Sequence, residues 1–293
     1  MPYAHYGRIG DVWKHLPLCS ILSIEKPRRY IETNSAGATY SLGETPEQKF
    51  GIYYFYDHAG ESPVLLRSPY LRLLRKHNAQ TSNKSFFPLR SYLGSPGLAM
   101  NLLKDTSEEF IFFDIERLAL ESIRDYAGRI GLLPKIRICE EDSVSGVYRL
   151  LDSLGKDDFI HFDPYSLFES HPSGLSYWDV FQEAARRGIK GMLWYAFFTE
   201  REKRALAERF RRGAAEAGPN SRFHAVEVFL DIIRPDTVIV NPGVVGCGVL
   251  MFNLSPESHK AVDELSDALI LIYEKSVVFG AHPGKLRSNV LSF

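Results

Sequence analysis

The stretch DDFIHFDPYSLFES, residues 157–170, decides the reading of this chain. An unbroken apolar run around Phe159-Ile160-His161-Phe162 stops abruptly at Asp163-Pro164-Tyr165. A run that short, bounded by acids and a proline, fits a strand buried on both faces that ends by presenting an acid. Similar units lie on either side of it. EEFIFFDI (108–115) is an apolar run ending at Asp114, and ERLALESIRDYAGRIG (116–131) follows with helical spacing and a closing glycine. KIRICEED then leads into the helix-like SVSGVYRLLDSL. Downstream, YWDVFQEAARRG reads as a helix and IKGMLWYAFF as a strand. A helix over 199–218 is expected to start with a Thr199–Glu202 capping box and to stop at Gly218-Pro219. Upstream, RRYIETNSAGATYSL is a strand followed by a turn of small residues.

Strands alternating with helices imply an α/β fold with a mostly parallel sheet covered on both faces. RFHAVEVFL and GVLMFNL are joined by a loop without an obvious helix, which predicts an antiparallel edge. Ser255-Pro256 opens the last helix. Residues 41–93 break the alternation with YLRLLRKHN and aromatic-rich turns, so they are read as a small, mainly helical insertion in a domain made of 1–40 and 94–293.

Composition bounds the function. The 293 residues are 45% hydrophobic and 24% charged, values of a soluble globular protein with a full core. No apolar run approaches the roughly 18 residues needed to span a bilayer, and the N-terminus has no signal-peptide core, so the expectation is a cytoplasmic protein without membrane contact. Cys19, Cys139 and Cys247 are scattered and odd in number, which argues against a disulfide framework and a zinc site. Net charge is −1, but residues 1–100 carry 12 basic against 7 acidic side chains and the remainder 23 against 29. A basic N-terminal third suits either phosphates or an ordinary solvated surface.

In a doubly wound sheet, ligands bind beyond the carboxyl ends of the strands, at the switch in strand order. Thr33-Asn34-Ser35-Ala36-Gly37-Ala38 follow the first strand; Asp114, Asp142-Ser143 and Asp163-Pro164-Tyr165 follow the next three. Small residues let a backbone approach a ligand closely. An acid after the second strand can accept from ribose hydroxyls, and one after the third from an adenine amino group. Together they specify a pocket for an adenosine-type cofactor. The structural alternative for each acid is a helix cap. Asp163 and the Pro164 carbonyl can accept both hydrogens of an exocyclic amine and so aim its lone pair, while Tyr165 stacks on a base swung out of its stack.

HYGRIGDVWKH (5–15) gathers His5, Arg8, Asp11, Lys14 and His15. Asp11 would share a helical face with Lys14 and His15. No ligand set converges there, so no metal is expected. Lys14 and His15 suit a phosphate or the cofactor, and a solvated Asp11–Lys14 ion pair is the simpler alternative. Ser95-Pro96 starts a helix, with Ser95 as its cap and free amides that can face an anion. Trp194-Tyr195 end a strand beside the proposed pocket.

The ordered set HYGRIGDVWKH, YIETNSAGATYSLG, LGSPGLA, FFDIE, EEDSVSG, FIHFDPY, GMLWYAFFTEREKR and GCGVLMFN resembles the RlmJ-type family along most of the chain. Its members methylate the N6 of an adenine in large-subunit ribosomal RNA; relatives carry an older label for the use of external DNA. The resemblance implies a Rossmann-like, class I methyltransferase fold with a small helical insert, S-adenosylmethionine as cofactor and RNA as partner. It places His15, Ser95, Asp114, Asp142 and Ser143 where the cofactor is held, Lys14 beside them, and Asp163 on the catalytic acid. Two departures stand out. Asn34 replaces a family His, and the family's Asp-Pro-Pro-Tyr is here Asp163-Pro164-Tyr165-Ser166, so Tyr165 or Phe168 would have to supply the stacking. The alternatives are a homologue that binds cofactor or nucleic acid without transfer, and a methyltransferase of another amine. A nuclease would need a metal–acid cluster. Nothing in the sequence demands a dimer, and a monomer is expected.

Overall fold

Three parallel strands meet at the middle of the molecule. In the computed structural model, which describes residues 6–81, 89–218, 223–230, 246–274 and 286–293, β1 (Arg29–Glu32) lies between β4 (Glu109–Asp114) and β6 (Asp158–Phe162). Phe159, Ile160 and Phe162 are fully buried, as are Phe110 and Phe112. A strand covered on both faces has no use for alternation, so these segments read as solid apolar runs.

The chain begins with α1 (Ile9–Glu25) and β1, followed by the short strand β2 (Thr39–Ser41). Helical pieces α2 (Pro46–Gln48), α3 (Tyr54–His58), α4 (Pro63–Arg67) and α5 (Pro69–Thr81) come next, and β3 (Ser91–Leu93) pairs antiparallel with β2. The segment read as an insertion is therefore helical where described and is flanked by a two-stranded ribbon. Its Phe50, Phe55, Leu65, Tyr70 and Leu74 are buried in the same core as Trp13 and Leu16 of α1.

Then α6 (Ser95–Leu103), β4, α7 (Arg117–Arg129), β5 (Ile136–Glu140), α8 (Ser143–Leu150), β6, α9 (Tyr177–Arg186), β7 (Lys190–Phe197) and α10 (Glu200–Ala217) alternate as expected. The described chain closes with β8 (Phe223–Leu230), β9 (Gly246–Phe252), α11 (Pro256–Tyr273) and β10 (Leu286–Ser292). Across the sheet the order is β5-β4-β1-β6-β7-β9-β8-β10. From β5 to β7 neighbours are parallel; β9, β8 and β10 add an antiparallel edge. The fold is the Rossmann-like α/β class expected, with an antiparallel edge. The loop expected between β8 and β9 falls on 231–245, outside the described residues, as does His5.

Two apolar cores cover the sheet. One gathers α1, α5, α6, α7 and α11 on one face; the other gathers α8, α9 and α10 on the opposite face. Local signals start the covering helices. Ser176 and Asp179 form a reciprocal capping box at α9, and Thr199 Oγ1 accepts the Glu202 amide at α10 (3.1 Å). The Thr199 box differs from expectation in one half: Glu202 Oε2 accepts from Phe198 N (2.6 Å), one residue before the cap. Because the chain moves outward from β1 through β4 to β5 and then returns to β6, the switch in order falls between β1 and β6. Ligand crevices open at that place in such sheets.

Candidate active site

Asp163 is the first residue after β6, at the switch. Its backbone N donates to Thr33 Oγ1 (3.2 Å), and Thr33 N donates to the His161 carbonyl (3.0 Å), so the ends of β1 and β6 are stitched together. α1 crosses this seam and delivers Lys14, whose Nζ donates to Asp163 Oδ2 at 2.7 Å and lies 3.3 Å from Asp11 Oδ1. Asp11 Oδ2 in turn accepts from Gly7 N (2.9 Å). The expected alternative of a solvated Asp11–Lys14 pair is corrected here: the Lys14, Asp11 and Asp163 side chains are only 12%, 19% and 16% exposed, and the pair is a triad. Burial opposes the Lys14 charge, but Asp163 and Asp11 outweigh it and hold the ammonium well above the ordinary lysine range. Burial also pushes the Asp11 carboxyl up, against the pull of Lys14. Among the described residues Asp163 Oδ1 takes part in no hydrogen bond.

A cleft of about 770 Å³ opens beside Asp11 of this triad. Asp11, Pro164, Trp194 and Tyr195 line it, with Arg8 and Arg209 also on its walls. Tyr165 is fully exposed and Phe198 is 59% exposed, and both belong to the same cleft. Trp194 and Tyr195 thus stand beside the site, Tyr195 with its ring buried and its hydroxyl donating to Glu227 (3.1 Å).

The other half of the crevice lies beyond β1, β4 and β5. The turn after β1 carries two non-glycine residues with left-handed backbone, Asn34 (φ 50°) and Ala36 (φ 53°). It presses on the start of α6 so closely that a Cβ on Gly94 would lie 2.2 Å from the Gly37 carbonyl oxygen. Gly94 is the cap of α6, and Ser95 is its first helical residue, buried, which corrects the expected Ser95 cap by one position. Asp114 is 3% exposed; its Oδ2 accepts from Ala36 N and its Oδ1 from Glu116 N, both at 2.8 Å. Directly after it, Ile115 and Leu118 are each 73% exposed.

Asp142 caps α8: its Oδ2 accepts from Ser145 N (2.8 Å) and Ser145 Oγ (2.6 Å). Its Oδ1 accepts from His171 Nδ1 (2.6 Å). Burial works against the Asp142 charge, but the bonds from Ser145 and His171 prevail and lower its pKa. The Ser143 hydroxyl shares a hydrogen bond with Tyr177 OH (2.8 Å) and reaches Asn34 Oδ1 at 3.4 Å. Asn34, Asp142 and Ser143 are thereby gathered at one place. His15 is not gathered with them. It faces the core, 2% exposed, sharing a hydrogen bond with Tyr92 OH (2.6 Å), and burial holds its imidazole well below the ordinary range.

One layer beneath the seam, His161 Nδ1 lies 3.1 Å from Glu32 Oε1, and Tyr30 OH donates to Glu32 Oε2 (2.9 Å), all fully buried. Among the described residues no group of three or more His, Cys, Asp or Glu side chains could hold a metal ion, and no helix is long and apolar enough to cross a membrane.

Neither a family model nor a curated protein sequence matches the chain. Among solved structures, a Legionella pneumophila protein bearing the family label DUF519 superposes with a TM-score of 0.73 at 22% identity, over 98% of both chains. The likeness is one of fold. An O-methyltransferase from Bacillus cereus in complex with SAH gives 0.41 at 11% identity, covering 82% of this chain and 79% of its own. The O-methyltransferase TomG from Streptomyces achromogenes, in complex with SAM, gives 0.40 at 10%, covering 82% and 78%. Superpositions that loose carry no residue or ligand across.

Sequence reasoning did not find His171, Tyr177, Phe198 or Arg209. His171 sits eight positions after Asp163 in a segment without periodicity, and its partner is 29 residues earlier, so no local pattern marks it. Phe198 had a weak signal: an apolar residue directly before the Thr199 cap, where a strand has already ended.

Proposed function

We propose that the chain is an S-adenosylmethionine-dependent methyltransferase acting on an adenine N6 amino group of ribosomal RNA in the cytoplasm. The observation that carries this reading is the Asp163 carboxylate, fixed through Oδ2 by Lys14 and without a hydrogen bond at Oδ1 among the described residues, directly before Pro164 on the wall of an apolar cleft. An exocyclic amine has two hydrogens to donate, and Oδ1 and the Pro164 carbonyl are two acceptors. Held by both, the nitrogen has its lone pair turned away from them, which is catalysis by positioning. As the nitrogen gains positive charge, the Asp163 carboxylate stabilises it, and the hydrogen donated to Oδ1 is the proton the product must lose. Lys14 remains cationic throughout and keeps the carboxylate oriented.

The second half of the crevice fits an adenosine cofactor by the chemistry of its donors and surfaces. Asp114 would serve the ribose and Asp142 the adenine amino group, while Ile115 and Leu118 offer uncovered apolar surface next to the buried acid for a purine. When bound, this cofactor supplies an electrophilic methyl group. On the acceptor side, Tyr165 and Phe198 suit stacking on an extruded base, worth about 1–3 kcal/mol per base, and Arg8 and Arg209 suit the phosphates around it. The resemblance to the RlmJ-type family supports the same assignment.

The exchange of Pro-Tyr for Tyr165-Ser166 favours one second reading, a homologue that binds the cofactor without transferring. Calorimetric titration with S-adenosylmethionine and S-adenosylhomocysteine, followed by methyl transfer to undermodified large-subunit ribosomal RNA, separates the two. Micromolar binding with transfer upholds the enzyme. Binding without transfer to any adenine-bearing RNA leaves the binder, and a folded protein that binds neither ligand sinks both.

A further inference from the structure

The segment after Asp163 runs from 164 to 176 without regular secondary structure, yet it is tied down along its length. At its start Asp163 is held by Thr33 and Lys14. In its middle the Leu167 carbonyl accepts from Trp178 N (3.1 Å), and the Arg209 guanidinium covers the Phe168 ring at 4.0 Å. At its far end His171 Nδ1 donates to Asp142 Oδ1 (2.6 Å), and the imidazole meets the Tyr177 ring edge-on at 4.8 Å and 86°. Backbone bonds from His171 N to Leu175 O and from Gly174 N to His171 O, both 2.8 Å, fix the turn that presents it. The acceptor loop thus begins at the proposed catalytic acid and ends on the acid assigned to the cofactor adenine. Nothing in the reaction as proposed uses His171.

We propose that His171 is a positioning residue that couples the two halves of the crevice, orienting Asp142 for the cofactor and holding the Asp163 loop against the adenine end. The inference rests on the cofactor reading above. A carboxylate offers about four acceptor positions. Ser145 takes two of those on Asp142 through N and Oγ, and His171 takes a third. One remains on Oδ1 for an exocyclic amino group, so the cofactor and His171 share the acid rather than compete for it. His171 also packs on Tyr177, which holds the Ser143 hydroxyl, so the same side chain braces both residues at the adenine end. Coupling between two binding events is reciprocal. If an ordered loop aligns Asp142 for the cofactor, the cofactor must in turn order the loop.

The test is hydrogen exchange of the full chain with and without saturating S-adenosylhomocysteine, together with calorimetric affinity, on wild type, His171→Ala and His171→Asn. In wild type the ligand is expected to slow exchange across 165–175 by about fivefold or more, within the usual range of coupling. In His171→Ala the ligand binds about fivefold or more weakly and no longer protects that segment. His171→Asn, whose amide can donate from the Nδ1 position, restores both. A merely structural role would raise loop exchange equally with and without ligand and leave affinity unchanged. That result, or ligand-dependent protection surviving in His171→Ala, or a wild type that binds without protecting the loop, overturns the coupling. If exchange rises throughout His171→Ala, the folded Asn variant decides: protection by ligand upholds the proposal, and its loss overturns it. A wild type that does not bind the ligand at all fails earlier, overturning the cofactor reading and this inference with it.

Discussion

The two halves of the crevice hold their acids by different means. Beyond β4 and β5, Asp114 accepts the amides of Ala36 and Glu116, and Asp142 caps the helix that follows it. These acids are built into the frame by backbone groups. Beyond β6, the Asp163 carboxylate is held by one side chain, Lys14, which lies 149 residues earlier in the chain, and among the described residues its Oδ1 takes part in no hydrogen bond. An acid that satisfies backbone amides is expected to reveal itself in stability when removed. An acid held by a lone cation, which retains a second partner in Asp11, is expected to reveal itself in activity.

The largest effect expected is on the acceptor side. Asp163→Ala should lower methyl transfer by about a thousandfold while Lys14 remains paired with Asp11, so the melting temperature should move little. A single-turnover assay alongside a thermal melt checks this. A variant that melts far lower, or that transfers normally, would break the contrast. Asp114→Ala should show the opposite balance, losing about 2 kcal/mol of stability because two amides lose their acceptor. Urea unfolding gives the number, and an unchanged midpoint would contradict the framing role.

Asp142 sharpens the comparison through pH. Its folded pKa is lowered, chiefly against burial by the Ser145 and His171 bonds. Its contribution is therefore full above the unfolded carboxylate value, about 3.9, and is lost as pH falls through the lower folded value. Asp142→Ala should cost about 1 kcal/mol at neutral pH, the usual worth of an N-cap, with the gap to wild type narrowing as pH falls below the unfolded carboxylate value. Urea midpoints at pH 7 and pH 3 test it; a pH-independent gap would remove the charge from the account. The smallest effect belongs to the turn after β1. Ala36 at φ 53° bears part of the roughly 1–2 kcal/mol that left-handed backbone costs a residue with a Cβ. Ala36→Gly should raise stability by about 0.5 kcal/mol after the entropic penalty of glycine. A lower urea midpoint would show that the strain is relieved by neighbours.

Much of the frame was legible in the sequence because it depends on local chemistry. The apolar runs 109–114 and 158–162 are strands buried on both faces, and Ser255-Pro256 starts α11 as expected, with Ser255 Oγ accepting the Ser258 amide (3.3 Å). Strand β10 escaped because LRSNVLS is an edge strand, half exposed and rich in polar residues, so its alternation is faint. The site was legible only in its parts. Asp114, Asp142 and Asp163 could be found as acids at strand ends, and Asp142 also fulfils the helix-cap alternative. The Lys14–Asp163 pair and the His171–Asp142 bond could not be found, because each joins segments that only the strand order brings together.

The amino-acid sequence alone determined the alternation of strands and helices, their caps and the acids that end the strands, because periodicity, hydropathy and capping act over a few residues. Tertiary structure alone decided which acid pairs with a distant lysine, which are tied to backbone amides, and that His15 turns into the core while Lys14 turns toward Asp163. Those outcomes depend on the switch between β1 and β6 and on α1 crossing it, and no run of neighbouring residues encodes the distance between two loops.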